Sequence, residues 1–307
     1  MDESDGNYEA YDLKSWLHLP ESSNWIEVLD PKAHVVAYWD QGARPDGRMF
    51  SQARPTQTVD SLLKHSAGSA LIKQGDTKVL TAISIEIGQP APELPDHGDV
   101  MVSVASTTTS TSSASTIQPR FYDRLQAWLQ RMLDDLLPPK LNLLTGKACV
   151  RLIVSVMILQ DAGNLMDASL LSCMAAWKNT TLPTMDHLVE SEGRLWWKEN
   201  PISSVSNSSS SSSDTIMQST SGEQTKEYRI SLTMGIVRND KTKSIQFVVD
   251  PSAEEATHAE GELTLVVELP SRKIQVEYTG SIGLEASDFA LAAKLANGRA
   301  DELESLL

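Results

Sequence analysis

The stretch 68–80, GSALIKQGDTKVL, has apolar residues on both sides of the segment 74–77, QGDT. Glycine and aspartate in such a short polar segment are typical of a tight turn between two strands. In the run 78–87 that follows, every second residue is apolar or β-branched: Val79, Thr81, Ile83, Ile85 and Ile87. Because side chains alternate between the two faces of a strand, these five share one face. The stretch therefore predicts a β-hairpin with one buried face.

In the rest of the chain, segments whose apolar residues have helical spacing alternate with segments that have the apolar pattern of strands. Apolar residues recur every three or four positions between 121 and 137, before Pro138-Pro139, which predicts an amphipathic helix. The apolar run 150–159 predicts a buried strand, and 165–177 predicts a buried helix. Strands at 228–236, 244–249, 262–269 and 274–278 precede a helix with the apolar stripe Phe289, Ala293, Ala296, Ala300, Leu303 and Leu307. This order predicts one α+β domain, built from a duplicated mixed β/α unit.

Composition limits the class of protein. Of the 307 residues, 40% are hydrophobic and 22% charged, which favours a globular core and excludes a wholly disordered or collagen-like chain. No apolar run approaches the ~18 residues of a membrane-spanning helix, and the acidic start MDESDGNYEAYD does not favour a secretory signal. Cys149 and Cys173 are too few for a disulfide framework or a four-cysteine metal site, so we expect a reducing compartment.

Charge is unevenly distributed along the chain. The net charge is −15, of which residues 1–30 contribute −7 (eight acids, one base) and residues 250–307 contribute −8 (twelve acids, four bases). The middle of the chain is neutral, with 21 residues of each sign. A self-sufficient nucleic-acid-binding protein would carry a basic excess, because phosphate neutralisation supplies most of its non-specific affinity. Contact with RNA must therefore depend on a few placed arginines or on partner proteins.

Two serine-rich tracts interrupt the periodic pattern, at 106–116 and 203–213. We interpret them as loop insertions, at about 103–118 and 203–225, because such tracts cannot bury enough apolar surface to offset their ordering entropy. Phosphorylation of the serines is an open alternative. Residues 1–43 form an acidic N-terminal extension that contains Trp16, Trp25 and Trp39. This extension either docks on a neighbouring subunit or folds back on its own domain.

The segment 44–48, RPDGR, taken alone predicts a turn with two exposed arginines. Four further motifs follow it in order: the hairpin 68–80, the passage from Ile85-Glu86-Ile87 to Pro95-Asp96-His97-Gly98, the turn 161–168 (DAGNLMDA) and the segment 247–255 (FVVDPSAEE). Together they resemble the RNase PH family, and in particular the non-catalytic RNase PH-type ring subunits of the eukaryotic RNA exosome. The resemblance covers residues 44–307 and implies an RNase PH-like domain of the ribosomal protein S5 domain 2-like type.

The resemblance also implies which chemistry this chain has lost. Phosphorolysis needs an arginine to hold the attacking phosphate and carboxylates beside the leaving oxygen. The family's phosphate-holding arginine, in a "GGTRTA" turn, falls on Met166, which has no charge and no strong donor. Asp250 matches the first carboxylate of the active pair, but the position six residues later is Ala256, with Glu254 and Glu255 nearby. The expectation is therefore a chain without catalytic residues, in which Asp250 is a vestigial candidate.

Ligands and partners follow from the same resemblance. No cofactor and no metal site is expected, because the six histidines show no metal-binding spacing. Arg120 and Arg124 are the candidate RNA-contacting residues, although both could instead belong to the solvated face of the predicted helix.

The family implies other RNase PH-type ring subunits, S1/KH cap proteins and a separate catalytic exosome nuclease as partners. Single-stranded RNA would pass through the ring, with no membrane contact, in the nucleus, nucleolus and cytoplasm, in support of rRNA maturation and RNA turnover. Two other hypotheses stay open at this point: an active phosphate-dependent 3′-to-5′ exoribonuclease, and a stand-alone RNA-binding protein.

Overall fold

The computed structural model describes residues 30–88, 90, 92, 94–95, 97–107, 118–134, 136, 142–144, 148–180, 188–191, 194–197, 227–238 and 244–307. Side chains are described throughout these ranges except at 118–120, 142–144, 148, 188–191 and 194–197. In the part of the chain so described, no helix is both long and apolar enough to cross a membrane.

The first sheet contains the predicted hairpin. Its strands are β1 (Thr56–Asp60), β2 (Gly68–Gln74), β3 (Thr77–Gly88), β4 (Asp99–Ser106), β5 (Asn142–Leu144) and β6 (Ala148–Gln160). The order is β1-β2-β3-β6-β4, and β5 pairs with the start of β6. Pairing is antiparallel except between β4 and β6, which run parallel. The β2–β3 turn is closed by Gly75 at φ +57°, a conformation that favours glycine.

Two helices pack on the inner face of this sheet. The first is α2 (Gln118–Asp134), which lies against β4, and the second is α3 (Leu165–Lys178), which contacts β2 and β3 on one side and β9 (Tyr228–Arg238) on the other. Almost every residue of α3 is buried, as its all-round apolar sequence predicts. The middle layer of the fold is therefore helical, with a sheet on each side of α3.

The second sheet completes the core. It consists of β9, β10 (Ile245–Val249), β11 (Gly261–Leu269) and β12 (Ile274–Gly280), in the antiparallel order β10-β9-β11-β12. A short helix α4 (Ala253–His258) follows β10, and α5 (Ala286–Glu304) packs on β9 and β11. A separate hairpin is formed by β7 (Leu188–Ser191) and β8 (Arg194–Trp197). The predicted α+β class is confirmed. Among the described residues, the parallel pair β4–β6 lies in the first sheet.

A helix precedes the first sheet where the sequence indicated only an extension. Asp30 caps α1 (Pro31–Trp39) by accepting a hydrogen bond from the Ala33 amide at 2.9 Å. Val35 and Trp39 are buried against Val237 and Val248 of the second sheet. Of the two alternatives for the N-terminal tryptophans, folding back holds for Trp39, whereas Trp16 and Trp25 lie outside the described residues.

Two predicted boundaries differ from the observed ones. Helix α2 spans 118–134 rather than 121–137, and residues 103–106 belong to β4 rather than to the predicted insertion. The rest of both serine-rich tracts, at 108–117 and 203–225, lies outside the described residues. On α5 the predicted stripe residues Ala296, Ala300 and Leu303 are buried, and Phe289, Ala293 and Leu307 are partly buried. Ala292, which was not part of the predicted stripe, is buried as well.

Candidate functional site

Asp250 lies at the end of β10, on the turn into α4, and is completely buried. Its backbone has φ +50°, unusual for a residue with a side chain, and its amide donates to the Thr233 carbonyl at 3.0 Å. Arg54 donates to the Asp250 carboxylate three times, from its amide (2.8 Å), its Nε (2.8 Å) and its Nη2 (2.7 Å). Burial alone would raise the pKa of this carboxyl, but the hydrogen bonds and charge of Arg54 outweigh it and lower the pKa to about 2.

The Arg54 guanidinium uses all five of its N–H groups. Besides Asp250, it donates to the carbonyls of Ala162 and Gly163, each at 3.0 Å, and to Thr77 Oγ1 at 3.3 Å. These acceptors lie on the turn after β6 and at the start of β3, so one side chain joins both sheets. Gly163 has φ +95°, and a Cβ there would lie 2.3 Å from the Ala253 nitrogen. The close approach of this turn to the start of α4 therefore requires glycine.

A second buried arginine holds the start of α4. Arg44 donates to both carboxylate oxygens of Glu255, from Nε at 2.8 Å and from Nη2 at 2.5 Å. Its remaining N–H groups donate to the carbonyls of Val249 (2.7 Å), Asp250 (3.0 Å) and Gln52 (3.2 Å). Both members of this ion pair are buried. Arg44 therefore fixes the strand end, the turn and the helix that carry the two acidic residues.

Arg48 lies close to both Asp250 and Glu255, nearer to the surface than Arg44 and Arg54. Its Nε donates to Asp46 at 2.6 Å, and its Nη1 donates to the Asp250 carbonyl at 3.2 Å. Its Nη2 lies 3.8 Å from Glu255 Oε2. The prediction that 44–48 is a turn with two exposed arginines is therefore wrong for Arg44 and largely wrong for Arg48. Arg44 neutralises Glu255, which lies 211 residues later in the chain. Arg48 pairs with the nearby Asp46, and its Nη1 also lies 3.5 Å from Oδ2 of Asp250, 202 residues later.

Asn164 and Asp167, two polar residues of the 161–168 turn, connect these ion pairs to the layer between the two sheets. The side-chain amide of Asn164 donates to Asp250 Oδ1 and to Asp167 Oδ2, each at 2.8 Å. Asp167 also accepts from the amide and hydroxyl of Thr233, at 2.8 and 2.9 Å. Burial raises the pKa of the Asp167 carboxyl, and its hydrogen bonds act against that rise. We call Arg44, Arg48, Arg54, Asp250 and Glu255, with Asn164 and Asp167, the arginine–carboxylate cluster.

Met166 lies beside the cluster but points to a different space. It lines a cleft of about 300 Å³ between α2 and the strands β11 and β12. Phe121 and Trp128 also line the cleft. Of the two α2 arginines in it, Arg131 pairs with Glu277, and Arg124 lies close enough to Glu262 to lower its pKa in part, although burial leaves that pKa raised. Cation and carboxylate thus face each other across the cleft, which leaves it close to electrically neutral.

Comparison with known proteins gives a family match over part of the chain. Residues 52–183 match the RNase PH model, described as "3′ exoribonuclease family, domain 1". The chain contains an RNase PH family domain. This confirms the resemblance to the RNase PH family that the five sequence motifs indicated.

Relatives of this RNase PH domain include proteins called "Exosome complex component Rrp42". Those of Thermococcus kodakarensis and Sulfurisphaera tokodaii are 31% and 32% identical, over 50% and 54% of this chain. These matches span 58% and 62% of the two relatives, less than two thirds of their length. The protein of the same name from Archaeoglobus fulgidus is 25% identical over 83% of this chain and 87% of its own.

Solved structures have the same fold as this chain. A chain of an "Archaeal exosome core" aligns with a TM-score of 0.64 at 23% identity, over 89% of this chain and 94% of that one. A chain of the Archaeoglobus fulgidus exosome "with RNA bound to the active site" aligns with a TM-score of 0.65 at 24% identity, over 89% and 96%. At these identities the likeness establishes the fold, which extends well beyond residues 52–183.

The site residues expected from the family fall into two places in the RNase PH fold. Asp250 belongs to the arginine–carboxylate cluster, where every described contact of its carboxylate is to this chain's own donors. Glu255, a nearby acid that could have replaced the missing carboxylate, is buried in its pair with Arg44, and Glu254 is exposed on the outside of α4. Ala256 has no titratable group. Of these three residues, Glu255 and Ala256 therefore offer no free carboxylate.

The candidate RNA contacts lie on α2, away from Asp250. Arg124 is exposed and lines the cleft with Met166, and Asp250 is not among the described residues that line it. Arg120 lies in the first turn of α2, and its side chain is outside the described residues. RNA contact by either arginine stays a prediction. Among the residues that the structure describes, no group of three or more metal-ligating side chains occurs.

The sequence analysis missed Arg54, which makes most contacts in the cluster. Its local context, Ala53-Arg54-Pro55, contains no periodic or motif signal. One clue was available in the charges, because Arg44, Arg48 and Arg54 outnumber the single acid, Asp46, in the segment 44–54. These three arginines lie just before the first strand, and the segment 250–307 carries an acidic excess. This charge distribution is consistent with ion pairs between residues far apart in the chain.

Proposed function

We propose that this chain is a non-catalytic ring subunit of an RNA exosome, of the ribosomal RNA-processing protein 43 type. The proposal rests on the hydrogen bonds of the Asp250 side chain, the carboxylate that matches the family's active pair. Arg54 and Asn164 occupy both of its oxygens, so its charge is already neutralised inside the protein. A carboxylate bound in this way stabilises the fold and has no free oxygen to direct at a metal ion or a leaving group.

The space beside Met166 supports the same proposal. Phosphorolysis needs a fixed cation at the site where phosphate attacks, since a dianion is held by charge-assisted hydrogen bonds. The thioether of Met166 provides neither charge nor donor. Arg124 and Arg131 do lie in the cleft, but each faces a glutamate, and Glu262 and Glu277 would repel an incoming phosphate. The cleft therefore lacks the net positive charge that a phosphorolytic site requires.

Ring membership is the second part of the proposal. The relatives named exosome complex component Rrp42, and the fold shared with exosome core chains, support a place among RNase PH-type ring subunits. The chain would then help to form the channel for single-stranded RNA, bind neighbouring RNase PH-type subunits and S1/KH cap proteins, and rely on a separate exosome nuclease for cleavage. We extend the proposal to rRNA maturation and RNA turnover, and to location in the nucleus, nucleolus and cytoplasm.

Purification from the source organism tests ring membership. A tagged full-length chain, expressed at its normal level, is isolated and its co-purifying proteins are quantified by mass spectrometry with labelled standards. We expect other RNase PH-type chains in equimolar amounts, together with proteins containing S1 or KH domains. Recovery of the tagged chain without stoichiometric RNase PH-type partners would overturn the proposal. A tagged, unrelated acidic protein of similar size serves as the control for charge-driven contamination.

A further inference from the structure

Strand β4 forms one edge of the first sheet, where it pairs with β6 on its inner side. Directly after β4, the Thr107 amide donates to the Ile158 carbonyl of β6 at 3.0 Å. Successive residues of a strand point their backbone N–H and C=O groups to opposite sides. The odd-numbered residues of β4 therefore face β6. The even-numbered ones, Val100, Val102 and Val104, point their N–H and C=O groups at the outer edge of the sheet.

The sequence of β4 does not protect this edge from pairing with another strand. Edge strands are normally protected by charged residues, by proline, by a bulge or by being very short. Strand β4 has eight residues, and its segment 100–105, VMVSVA, contains no charge and no proline. Uncharged six-residue segments with high β-propensity are the ones that add most readily to other strands. The opposite edge strand, β1, is shorter, with five residues, and ends at the charged Asp60.

Two glutamines of helix α2 bind the outer edge of β4 with their side-chain amides. Gln130 Oε1 accepts a hydrogen bond from the Val102 amide at 2.9 Å, and Gln130 Nε2 donates to the Val100 carbonyl at 2.8 Å. Gln126 Oε1 accepts from the Val104 amide at 3.2 Å. A glutamine side chain offers the same carbonyl acceptor and N–H donor as a peptide group. Gln130 therefore bonds to β4 as the backbone of a neighbouring strand would.

The spacing of the two glutamines on α2 matches the spacing of the strand groups that they bind. The glutamines are four residues apart, which is a rise of about 6 Å along a helix. Val102 and Val104 are two residues apart, which is about 6.6 Å along a strand. Asp134, one turn after Gln130, accepts a hydrogen bond from Gln130 Nε2 at 2.7 Å. This bond fixes the orientation of the amide, so that its oxygen faces the Val102 N–H.

We propose that Gln126 and Gln130 act as a surrogate strand, which closes the β4 edge against strand addition by another polypeptide. The backbone groups that they bind are the same groups that an added strand would use. An added strand could therefore pair with β4 only after both side-chain amides had left the edge. The occupant of the edge is thus helix α2 of the same chain. The inference concerns the single folded chain and does not rest on a place in an exosome.

Amide hydrogen exchange of the purified full-length chain, followed by NMR, tests the two glutamines one at a time. Gln130→Ala should speed exchange of the Val102 amide at least about tenfold and leave that of Val104 within about threefold, because only the first amide loses its acceptor. Gln126→Ala should do the reverse. Each variant thus has the other as its matched control for the change from glutamine to alanine on α2.

The neighbouring amides of β4 distinguish this role from a general contribution to stability. The Met101 and Ser103 amides point at β6, so their exchange should stay within about threefold of wild type in both variants. Equal acceleration of all the β4 amides would show that the glutamines only stabilise the fold, and would overturn the proposal. Unchanged exchange of the Val102 and Val104 amides in the two variants would overturn it as well.

Light scattering at rising protein concentration tests whether the edge is closed. The double variant, Gln126→Ala with Gln130→Ala, should begin to aggregate at a concentration at least about tenfold below that of the wild type. Gln57→Ala, at an exposed glutamine of β1, is the control and should aggregate as the wild type does. Circular dichroism checks the fold, and Gln130→Ala alone replaces a double variant that does not fold. A folded edge variant that aggregates at the same concentration as Gln57→Ala overturns the proposal.

Discussion

Arg54 and Asp250 are joined by three hydrogen bonds of 2.7–2.8 Å, although 196 residues separate them in the chain. The pair connects the loop before the first sheet to the end of a strand in the second. An aspartate in this position could serve catalysis only if its oxygens were open to a ligand. Here both oxygens accept hydrogen bonds from Arg54 and Asn164, which supports our proposal that Asp250 has a structural role.

Removing Asp250 should therefore destabilise the fold strongly. Asp250→Ala leaves the Arg54 guanidinium buried without its counter-charge, which typically costs about 3–5 kcal/mol. The free energy of unfolding, measured by urea denaturation, should fall by that amount. Glu254→Ala, four residues later and exposed, is the control and should change stability by less than about 0.5 kcal/mol. Equal small losses for both variants would show that the ion pair contributes little.

The low pKa of Asp250 predicts a particular acid sensitivity. Its folded pKa, about 2, lies below its ordinary value of 3.8, so its stabilising contribution is present above pH 3.8 and is lost as the pH falls toward 2. The difference corresponds to about 2 kcal/mol. Between pH 5 and pH 2, the free energy of unfolding of the wild type should fall by about that much more than that of Asp250→Asn. Parallel pH curves for the two proteins would contradict the assigned pKa.

Arg44 and Glu255 should behave as a coupled pair. Arg44→Met leaves Glu255 buried and unpaired, and should cost about 3–5 kcal/mol of stability. Changing both residues, Arg44→Met with Glu255→Leu, removes the uncompensated charge and should be less destabilising than the Arg44 change alone. A double-mutant cycle by urea denaturation measures this coupling. Additive losses, with the double variant the least stable, would contradict it.

Gly163 should tolerate no side chain. A Cβ at this position would lie 2.3 Å from the Ala253 nitrogen and 2.6 Å from the Ser252 carbonyl carbon, at φ +95°. Gly163→Ala should therefore cost more than about 3 kcal/mol, because both backbone strain and a steric clash oppose it. Gly42 provides the matched control: its φ is +77°, but a Cβ there would meet nothing within 4 Å. Gly42→Ala should cost only about 1 kcal/mol, the strain alone.

Periodicity in the sequence was enough to predict most of the elements. The β2–β3 hairpin, strand β6 and helix α3 lie close to their predicted positions because their apolar patterns are long and each has one dominant period. The predicted stripe on α5 omitted the buried Ala292 because a helix rich in alanine has several nearly equal apolar faces. Helix α1 was missed because it is short and its apolar residues, Val35, Val36 and Trp39, do not form a regular stripe.

The arginine–carboxylate cluster could not be predicted from spacing. Its ion pairs join Arg44 and Arg54 to Glu255 and Asp250, and such long separations leave no local pattern. A basic turn on its own is typically solvated, which is why Arg44 and Arg48 were expected to be exposed. Their burial follows from the acids that the fold brings to them, since buried charges are stable only when paired and hydrogen-bonded. Long-range ion pairs therefore bury two arginines that the local sequence predicted to be exposed.

The variant Met166→Arg tests whether the missing arginine alone explains the expected lack of phosphorolysis, or whether the other groups of the site are also unable to act. The change puts a guanidinium where the family's phosphate-holding arginine stands, in the cleft that Glu262 lines. We expect no gain of phosphorolysis, because Asp250 stays bound to Arg54 and position 256 is alanine. Phosphate-dependent shortening of labelled RNA by this variant, but not by the control Met166→Leu, would show that the remaining groups are competent.

We propose that the wild-type chain does not catalyse phosphorolysis. The direct measurement incubates the purified full-length chain with labelled single-stranded RNA, inorganic phosphate and a divalent cation, and quantifies released nucleoside diphosphate against a mock purification. The predicted result is release equal to the mock at every phosphate concentration, for the wild type and for Glu254→Gln alike. Phosphate-dependent release above the mock that disappears in a folded Asp250→Asn variant would contradict the account.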